Sequence, residues 1–351
     1  MKIVFLTRLF YPHVGGVEKH VFEITRLLIH KGHEVSIITE ELRPPDRQEL
    51  PTDIEKELKS LTVYHIPIKK HDWFNKFRIW KWMWKNREIF LNSDVIHCHD
   101  VFFWYLPFAL LFPFKNVYTT FHGYEGYPIK KKAIIYRKIF EFISNKTICV
   151  GDFMRKWYHA NPTDVIYGGV HNSKSTQMPK KNSAIFIGRL DDQTGIDTYV
   201  KATSIIRKQV SDFMLTVYGD GPLKTYVKGE GIILKGFDVS ADQQLPKYEL
   251  AFVSRYLSIL EALMSKRLVI AAFDNPVKED YLRMTPYADS ITISNDPSEI
   301  AGQVVRLLKN KKEQQALIEK GYKYARGYTW EAVVDAYLTL WKRNASSSSK
   351  E

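Results

Sequence analysis

The start of the chain joins a short apolar run to an amphipathic helix through a turn that contains two glycines. Lys2–Thr7 is short, apolar and β-branched, as strands buried on both faces of a parallel sheet are. After the turn at residues 10–20, apolar side chains recur at helical spacing until Gly32, which favours a helix end. A strand that leads into a helix in this way predicts an α/β fold.

The glycine pair, Gly15 and Gly16, allows two interpretations. Glycines let a backbone approach a ligand closely, and the start of a helix presents free N–H groups and a partial positive charge. The pair therefore suits a phosphate group. The alternative is that it only makes a tight turn, because the full G-x-G-x-x-G fingerprint is absent.

Alternating strand and helix patterns fill the chain and are interrupted once. Further strands are predicted at residues 34–39, 61–67, 95–99, 116–121 and 146–150, and then at 184–187, 213–218, 232–234, 250–253, 268–272 and 290–293. Between the two sets, residues 171–183 are polar and unpatterned, which is typical of a linker. We therefore predict two Rossmann-like, doubly wound domains, 1–170 and 184–329, with a ligand crevice between them. The serine-rich end, 345–351, is expected to be disordered.

Composition favours a cytoplasmic protein with an anionic partner. No apolar run reaches the ~20 residues that a transmembrane helix needs, and the first strand meets Arg8 at once, unlike an export signal. Cys98 and Cys149 lie in strand-like runs and are interpreted as buried free thiols of a reducing compartment. The formal net charge of +12 favours a phosphate-bearing substrate, an acidic lipid surface or a nucleic acid.

Residues 69–87 interleave basic and aromatic side chains and contain half of the tryptophans. A basic helix with Trp and Phe suits the surface of an anionic membrane. The alternative is a core-facing helix with solvated lysines. Stacking on single-stranded nucleic acid is less favoured because no nucleic-acid fold signature accompanies the segment, so no nucleic-acid partner is expected.

Six motifs, in order along residues 1 to about 341, resemble those of the family 4 (group 1) retaining glycosyltransferases of the GT-B superfamily. They are YPHVGGVE (11–18), DVIHCH (94–99), TFHG (120–123), IGRL (187–190), YGDGP (218–222) and LEAL (260–263). The resemblance implies two Rossmann-like domains facing each other across a crevice. It also implies a nucleotide-sugar donor held mainly by the second domain, an acceptor held mainly by the first, and retention at the anomeric carbon. No metal or other cofactor is expected, and a final helix at about 330–344 is expected to pack back on the first domain.

The resemblance also assigns residues to roles. His122, Arg189 and Glu261 are the expected catalytic residues: His122 contacts the donor sugar, Arg189 the diphosphate and Glu261 the ribose hydroxyls. Other donor-binding candidates are Gly15, Gly16, Gly219, Asp220, Lys235, Phe237, Ser258 and Ile259. Acceptor-side candidates are Glu18, His99, Tyr124 and Glu125. Simpler alternatives remain open for these residues. Arg189 could be a surface arginine, Glu261 could be a charge that favours the helix dipole, and the histidines could be structural. His97, His99 and His122 could suggest a zinc site, but nothing in the sequence fixes their ligand geometry.

Two departures from the family pattern bear on the donor site. Thr194 stands where the family usually has a lysine, and Val253 stands where it has the first glutamate of Glu-x7-Glu. Arg255 is a hypothetical replacement for the missing positive charge. The expected function is sugar transfer to a lipid-linked or saccharide acceptor in cell-surface glycan synthesis, on the inner face of the membrane. The alternatives are a nucleotide-sugar-binding protein without activity and a sugar-nucleotide epimerase.

Overall fold

A computed structural model describes residues 1–41, 50–68, 74–172 and 177–345. The chain divides into two compact units: unit 1 contains Met1–Ile166 and Trp330–Glu351, and unit 2 contains Tyr167–Thr329. The first division therefore falls at residue 166, not 170. Residues 167–170 belong with unit 2 because Tyr167 packs edge-on against Tyr256 and Tyr287, and the Val170 N–H donates to the Tyr328 carbonyl.

Unit 1 is built on a parallel sheet of seven strands in the order β3-β2-β1-β4-β5-β6-β7. The central strands are the apolar runs predicted from the sequence, and every side chain of β4 and β5 is buried. The strands are β1 (Lys2–Thr7), β2 (Glu34–Glu40), β3 (Thr62–Ile66), β4 (Val95–His99), β5 (Val117–Phe121), β6 (Lys146–Cys149) and β7 (Asp164–Val165).

Helices cover both faces of this sheet. They are α1 (Gly16–His30), α2 (Thr52–Lys59), α3 (Asn75–Lys85), α4 (Arg87–Leu91), α5 (Phe102–Leu111), α6 (Lys131–Ile143) and α7 (Phe153–Tyr158). Right-handed crossovers place α3, α5 and α6 on one face and α1 on the other, since the connections run in opposite directions along the sheet. The packing agrees: the Trp80 Nε1–H on α3 donates to the Phe103 carbonyl, and Phe102 packs against Phe140 on α6.

Unit 2 is built on a parallel sheet of six strands in the order β10-β9-β8-β11-β12-β13. The strands are β8 (Lys180–Ile187), β9 (Met214–Tyr218), β10 (Ile232–Gly236), β11 (Tyr248–Phe252), β12 (Leu268–Ala272) and β13 (Thr292–Ser294). The helices are α8 (Ile196–Arg207), α9 (Tyr256–Met264), α10 (Pro276–Arg283), α11 (Pro297–Lys309) and α12 (Lys311–Ala325). The two doubly wound parallel sheets confirm the predicted fold class.

The predicted linker is shorter than expected because β8 begins at Lys180. Its polar first residues pair through the backbone with β11, and the Asn182 N–H donates to Glu249 Oε2 at 2.9 Å. Polarity at an exposed strand end therefore imitates a linker in the sequence. Residues 173–176 of the predicted linker and 346–351 of the predicted tail lie outside the described residues.

The last helix, α13 (Trp330–Ala345), returns to unit 1 and packs against α1. Lys31 forms an ion pair with Asp335 at 3.2 Å, and Trp330, Tyr337 and Trp341 are buried. None of the helices in the described part of the chain has the length and hydrophobicity that crossing a bilayer requires.

We predict that Tyr199→Phe destabilises unit 2 by about 2 kcal/mol, because it removes a buried hydroxyl with two backbone partners. The Tyr199 hydroxyl accepts from the Ala272 N–H at 2.7 Å and donates to the Ile270 carbonyl at 3.1 Å. Thermal unfolding followed by calorimetry measures the change. The exposed Tyr226→Phe is the matched control and should leave stability unchanged; equal stability of the two variants would contradict the prediction.

Candidate active site

In each unit the candidate residues gather at the carboxyl edge of the sheet, next to the strand from which the chain runs in both directions. In unit 1 that strand is β1, with β2 on one side and β4 on the other. The glycine turn follows β1, His99 ends β4 and His122 follows β5. Open α/β sheets bind their ligands at such switch points.

The side chain of Glu18 fills the space next to Gly15 in the glycine turn. Gly15 precedes the first residue of α1, and a Cβ atom at Gly15 would clash with the Glu18 carboxylate. Glu18 is buried and hydrogen-bonds His13 Nδ1 at 3.1 Å. The carboxylate lies at the positive end of the helix, in the region expected to receive phosphate. Phosphate binding by Gly15 and Gly16 stays a prediction, and it requires Glu18 to move aside.

Three histidines from different parts of unit 1, His20, His99 and His122, lie close together. His99 Nδ1 lies 2.9 Å from His122 Nε2, and the His20 ring on α1 lies edge-on to His122 with 4.8 Å between centroids. His97 stacks on His99 at 4.9 Å, as strand alternation predicts for residues two apart. The sequence analysis missed His20, although a histidine among the inward-facing apolar residues of α1 was a visible signal.

A chain of buried hydrogen bonds joins this histidine cluster to α13. Trp341 Nε1 lies 3.2 Å from His97 Nδ1, and His97 Nε2 lies 2.8 Å from the Thr120 hydroxyl. The Tyr337 hydroxyl then lies 2.9 Å from the Thr120 hydroxyl and 3.0 Å from His20 Nε2.

The first donor in the chain fixes the direction of its first two bonds. Indole N–H only donates, so His97 Nδ1 accepts and the neutral ring carries its proton on Nε2. His97 therefore donates to Thr120. We assign the two remaining bonds in the same sense, from Thr120 to Tyr337 and from Tyr337 to His20 Nε2, because this gives the buried Thr120 hydroxyl proton an acceptor. His20 consequently carries its proton on Nδ1.

Burial keeps the cluster neutral. Desolvation lowers the pKa of His97 and of His122 to about 3, and it lowers the pKa of His20 and of His99 well below the usual value. Neutral imidazoles have lone pairs for a metal, and His20, His99 and His122 have nitrogens within 4.8 Å of one another. Hydrogen bonds already occupy His99 Nδ1, His122 Nε2 and His20 Nε2, whereas His99 Nε2 is buried and has no hydrogen-bond partner in the described part of the chain.

The acceptor-side candidates Tyr124 and Glu125 follow His122, and Glu125 is held in an ion pair. The buried Arg137 of α6 donates to Glu125 Oε1 at 3.0 Å and stacks over the Tyr158 ring at 3.8 Å. The Tyr158 hydroxyl donates to Glu125 Oε2 at 2.6 Å. Burial raises the pKa of Glu125, but the Arg137 charge and these hydrogen bonds outweigh it and lower the pKa overall. Tyr124 is half-buried, with its ring 6.0 Å from Phe153.

In unit 2 the switch-point strand is β8, flanked by β9 and β11. We call the carboxyl edge of this sheet the donor edge. It brings together all of the unit 2 candidates from the ends of three strands and from the helix α9. They are Arg189 after β8, Gly219 and Asp220 after β9, Lys235 and Phe237 at the end of β10, and Ser258, Ile259 and Glu261 on α9.

Arg189 has an exposed guanidinium, which pairs with Asp191 at 3.0 Å. Its carbonyl accepts from the Thr194 hydroxyl at 2.8 Å. Thr194 is buried, and its hydroxyl also contacts the Asp191 carbonyl at 2.7 Å. The residue that replaces the family lysine therefore holds the arginine turn together and supplies no charge.

Two cations lie beside that turn. The Arg255 guanidinium donates to Gln193 Oε1 at 3.0 Å, next to Thr194. Lys278 is fully buried, donates to the Ser254 carbonyl and lies 4.0 Å from the Tyr281 ring. Burial, with a contribution from the Arg255 charge, lowers the pKa of Lys278 well below its usual value. No sequence pattern pointed to Lys278, which lies in the first turn of an ordinary amphipathic helix.

Glu261 lies past the first turn of α9, which holds no acidic residue. The helix dipole acts mainly within the first turn. The structure therefore does not support the alternative that Glu261 is only a charge at the N terminus of the helix. Ser258 is half-buried, while the Ile259 side chain is buried in the core and its N–H is bonded to the Arg255 carbonyl.

The remaining donor-edge residues differ in exposure. Gly219 leaves room for the Gly188 carbonyl, which any Cβ atom would strike. Asp220 accepts from Lys224 at 2.9 Å and from the Gly221 N–H at 2.8 Å, and these bonds lower its pKa. Lys235 and Phe237 are exposed beside the turn. Asp220 thus shapes the turn, whereas Lys235 and Phe237 are accessible to a ligand.

We predict that Tyr337→Phe breaks the hydrogen-bond chain and costs about 1–3 kcal/mol, because Thr120 and His20 Nε2 lose their buried partner. The proton of His20 should then no longer be confined to Nδ1. Imidazole ¹⁵N shifts report the tautomer, and fluorescence unfolding reports stability, since all eight tryptophans lie in unit 1. Tyr136→Phe, exposed in the same unit, is the control. An unchanged His20 tautomer would contradict the assignment.

We also predict that unit 1 loses stability as the pH falls from 6.5 towards 3. The folded histidines have pKa values lowered from 6.5, to about 3 for His97 and His122, so only the unfolded chain takes up protons in this range. Asp100, whose pKa burial raises to about 6, and Glu40, whose pKa burial also raises, oppose the trend, but the four clustered histidines outnumber them. His97→Gln should reduce the slope of unfolding free energy by about 1.4 kcal/mol per pH unit. The exposed His65→Gln should leave it unchanged, and equal slopes would refute the prediction.

Comparison with known proteins agrees with this arrangement. The model of Glycosyltransferase Family 4 matches residues 14–174, and that of Glycosyl transferases group 1 matches residues 181–310. Among solved structures, a glycosyltransferase from Rickettsia africae covers 97% of this chain and 98% of its own, with a TM-score of 0.73 and 16% identity. WaaG, a glycosyltransferase involved in lipopolysaccharide biosynthesis, has a TM-score of 0.69, 14% identity and coverages of 95% and 99%.

Curated relatives match over part of their length. The phosphatidylinositol N-acetylglucosaminyltransferase gpi3 subunit of Schizosaccharomyces pombe is 26% identical over 61% of this chain and 50% of its own. A human phosphatidylinositol N-acetylglucosaminyltransferase subunit is 23% identical over 63% of this chain and 48% of its own. The chain therefore spans about half the length of these relatives. Because the two family models cover both units, the chain belongs to the family 4, group 1 glycosyltransferases, as the motifs predict.

Proposed function

We propose that this chain transfers a sugar, with retention, from a nucleotide-sugar to a lipid-linked or saccharide acceptor in glycan synthesis. The observation that carries the proposal is the donor edge, where Arg189 and Glu261 flank the switch point between β8 and β11. Nucleotides bind at this place in doubly wound folds. The names of the curated relatives favour a lipid acceptor, since both act on phosphatidylinositol by name.

Sugar transfer from a nucleotide-sugar needs fixed positive charge beside the leaving group. A nucleotide-sugar leaves as a diphosphate, and without a metal the protein must stabilise the added negative charge. Arg189 presents an exposed planar guanidinium that can bind phosphate oxygens through two N–H groups. Arg255, which follows β11 and contacts Gln193 next to Thr194, is a second cation beside this turn and takes the place of the absent lysine in this proposal. Transfer without a metal is part of this proposal.

His122 and the acceptor-side residues complete the proposal in unit 1. His122 is neutral and half-buried, and its backbone N–H donates to Asp100 Oδ1 at 2.9 Å. A neutral imidazole held in this way can hydrogen-bond a sugar hydroxyl. Three of the acceptor-side candidates already have partners, Glu125 in Arg137, Glu18 in His13 and His99 in His122, so an acceptor bound there competes with these contacts.

We further propose that the chain works at the inner face of an anionic membrane. Residues 69–73 of the basic aromatic segment lie outside the described residues. In the rest, Phe74, Phe77 and Trp84 are exposed, while Ile79 and Met83 are buried. The segment is thus partly core and partly surface, so each of the two interpretations made from the sequence describes some of its residues.

A nucleotide-sugar-binding protein without activity is the second candidate. Val253 is buried, so no acidic side chain occupies the position of the family's first glutamate. A panel of nucleotide-sugars with lipid and saccharide acceptors separates the candidates. Transfer with a retained anomeric configuration supports the proposal, and binding without turnover supports the second candidate. An isomerised nucleotide-sugar would instead indicate an epimerase.

We predict that Arg189→Ala lowers kcat/KM about 10²–10³-fold, because it removes a fixed donor from the leaving group. Initial rates at several donor concentrations measure the change. The matched control is Arg283→Ala on α10, which removes an exposed arginine paired with Glu279 at 2.8 Å and should leave kcat/KM unaltered. Full activity of the Arg189 variant would remove this residue from the site.

A further inference from the structure

Exposed apolar side chains are concentrated in one part of unit 1. Within the described ranges, eleven of the seventeen exposed large apolar residues fall between residues 74 and 142. They lie on or beside the helices of one sheet face: Phe74, Phe77 and Trp84 around α3, Leu110, Leu111 and Phe114 around α5, and Tyr127, Ile135, Tyr136, Ile139 and Phe142 on or before α6. Exposed apolar side chains concentrated on one face of a domain are typical of a place where a partner or a membrane binds.

Helix α6 is the clearest case because it has apolar side chains on two faces. Its inward face buries Phe140 and also Arg137, which packs against Tyr158 and Glu125. Ile135, Ile139 and Phe142 share the opposite face, and Phe142 is 89% exposed. A surface helix of a soluble protein places its apolar stripe against the core. A second, outward apolar stripe is typical of a surface that contacts an apolar environment outside the protein.

The start of α6 identifies the charge of that environment. Lys130, Lys131 and Lys132 crowd the positive end of the helix, and no acidic residue occupies its first turn. By contrast, α1, α2, α8, α10, α11 and α12 all carry an acidic residue there. Lysines at a helix N terminus repel the dipole, and their side chains cannot accept its free N–H groups. Anions at this position would satisfy both.

The neighbouring helices extend the same character. Residues 74–146 contain twelve lysines and arginines against five acidic residues. Phe102, the first residue of α5, packs against Phe140 at 4.4 Å, so α5 and α6 are neighbours on this face of the sheet. Lysines and apolar residues thus alternate over several helices. A lipid bilayer with anionic headgroups offers phosphate and hydrocarbon over an area of this extent.

We propose that α6 lies in the plane of an anionic bilayer, with Ile135, Ile139 and Phe142 below the headgroups and the lysines on lipid phosphates. The basic aromatic segment at α3 then forms the border of the contact and α6 its centre. The assignment extends the membrane part of the proposed function and rests on it. Membrane binding by α6 can be measured independently of catalysis, because it needs neither a sugar donor nor an acceptor.

The test is binding to sedimented vesicles of phosphatidylcholine with and without phosphatidylglycerol. Ile139→Glu/Phe142→Glu should weaken binding to the anionic vesicles about tenfold or more, because it puts charges into the hydrocarbon boundary. The matched control is Tyr226→Glu/Ile233→Glu, which alters two exposed apolar residues of unit 2. A second variant, Lys131→Gln/Lys132→Gln, should weaken binding and reduce its salt dependence. Circular dichroism should show all of them folded.

Each outcome decides the proposal. Unchanged vesicle binding by the α6 variants, with loss on changing Phe74 and Phe77, would overturn the role of α6 and leave α3 as the contact. Equal binding to neutral vesicles would overturn the anionic partner. A wild-type dimer that Phe142→Glu dissociates would assign the face to a second copy instead. Donor turnover in vesicle-free solution is measured in parallel, so failure of the transferase proposal shows there and not in vesicle binding.

Discussion

The arrangement of unit 1 depends on the buried hydrogen-bond chain from Trp341 through His97, Thr120 and Tyr337 to His20. A buried polar group without a partner costs a large part of a protein's net stability. Each member of the chain therefore fixes the position of the next. The result ties the last helix of the sequence to β4, β5 and α1, the elements that carry His99, His122 and the glycine turn.

In unit 2, buried polar groups are likewise paired around the turn that carries Arg189. Thr194 binds two carbonyls of that turn, and Ser254 and Lys278 continue the network below it. Loss of the family lysine thus did not leave a gap, because a hydroxyl of the right size holds the backbone. In the proposed function, Arg189 and Arg255 supply the positive charge that the lysine would have supplied. A site that keeps its arginine turn rigid in this way fits catalysis by fixed donors better than a decayed enzyme.

The helices opposite α1 carry the surface that we propose as the membrane contact. Unit 1 turns the apolar stripe of α6 outward and keeps Arg137 inside, against Tyr158 and Glu125. The same arginine thereby orders the residues that follow His122. A membrane contact on α6 would act on this segment through Arg137, which links the acceptor side of the site to the surface where lipid acceptors are found.

Sequence alone determined the two doubly wound sheets, because buried parallel strands are written as continuous apolar runs. It also determined the family and placed His97 and His99 on one face, since strand side chains alternate. It could not find His20, Lys278 or the inward Arg137, and so it could not show that Glu125 is already paired. Those facts depend on contacts between separate elements, some far apart in the chain, as α1 and α13 are, and some nearer, as α6 and α7 are. Local sequence patterns determine which helices and strands form. Tertiary packing alone decides which side chains are buried and which polar groups are paired, and these two properties determine what each side chain can do.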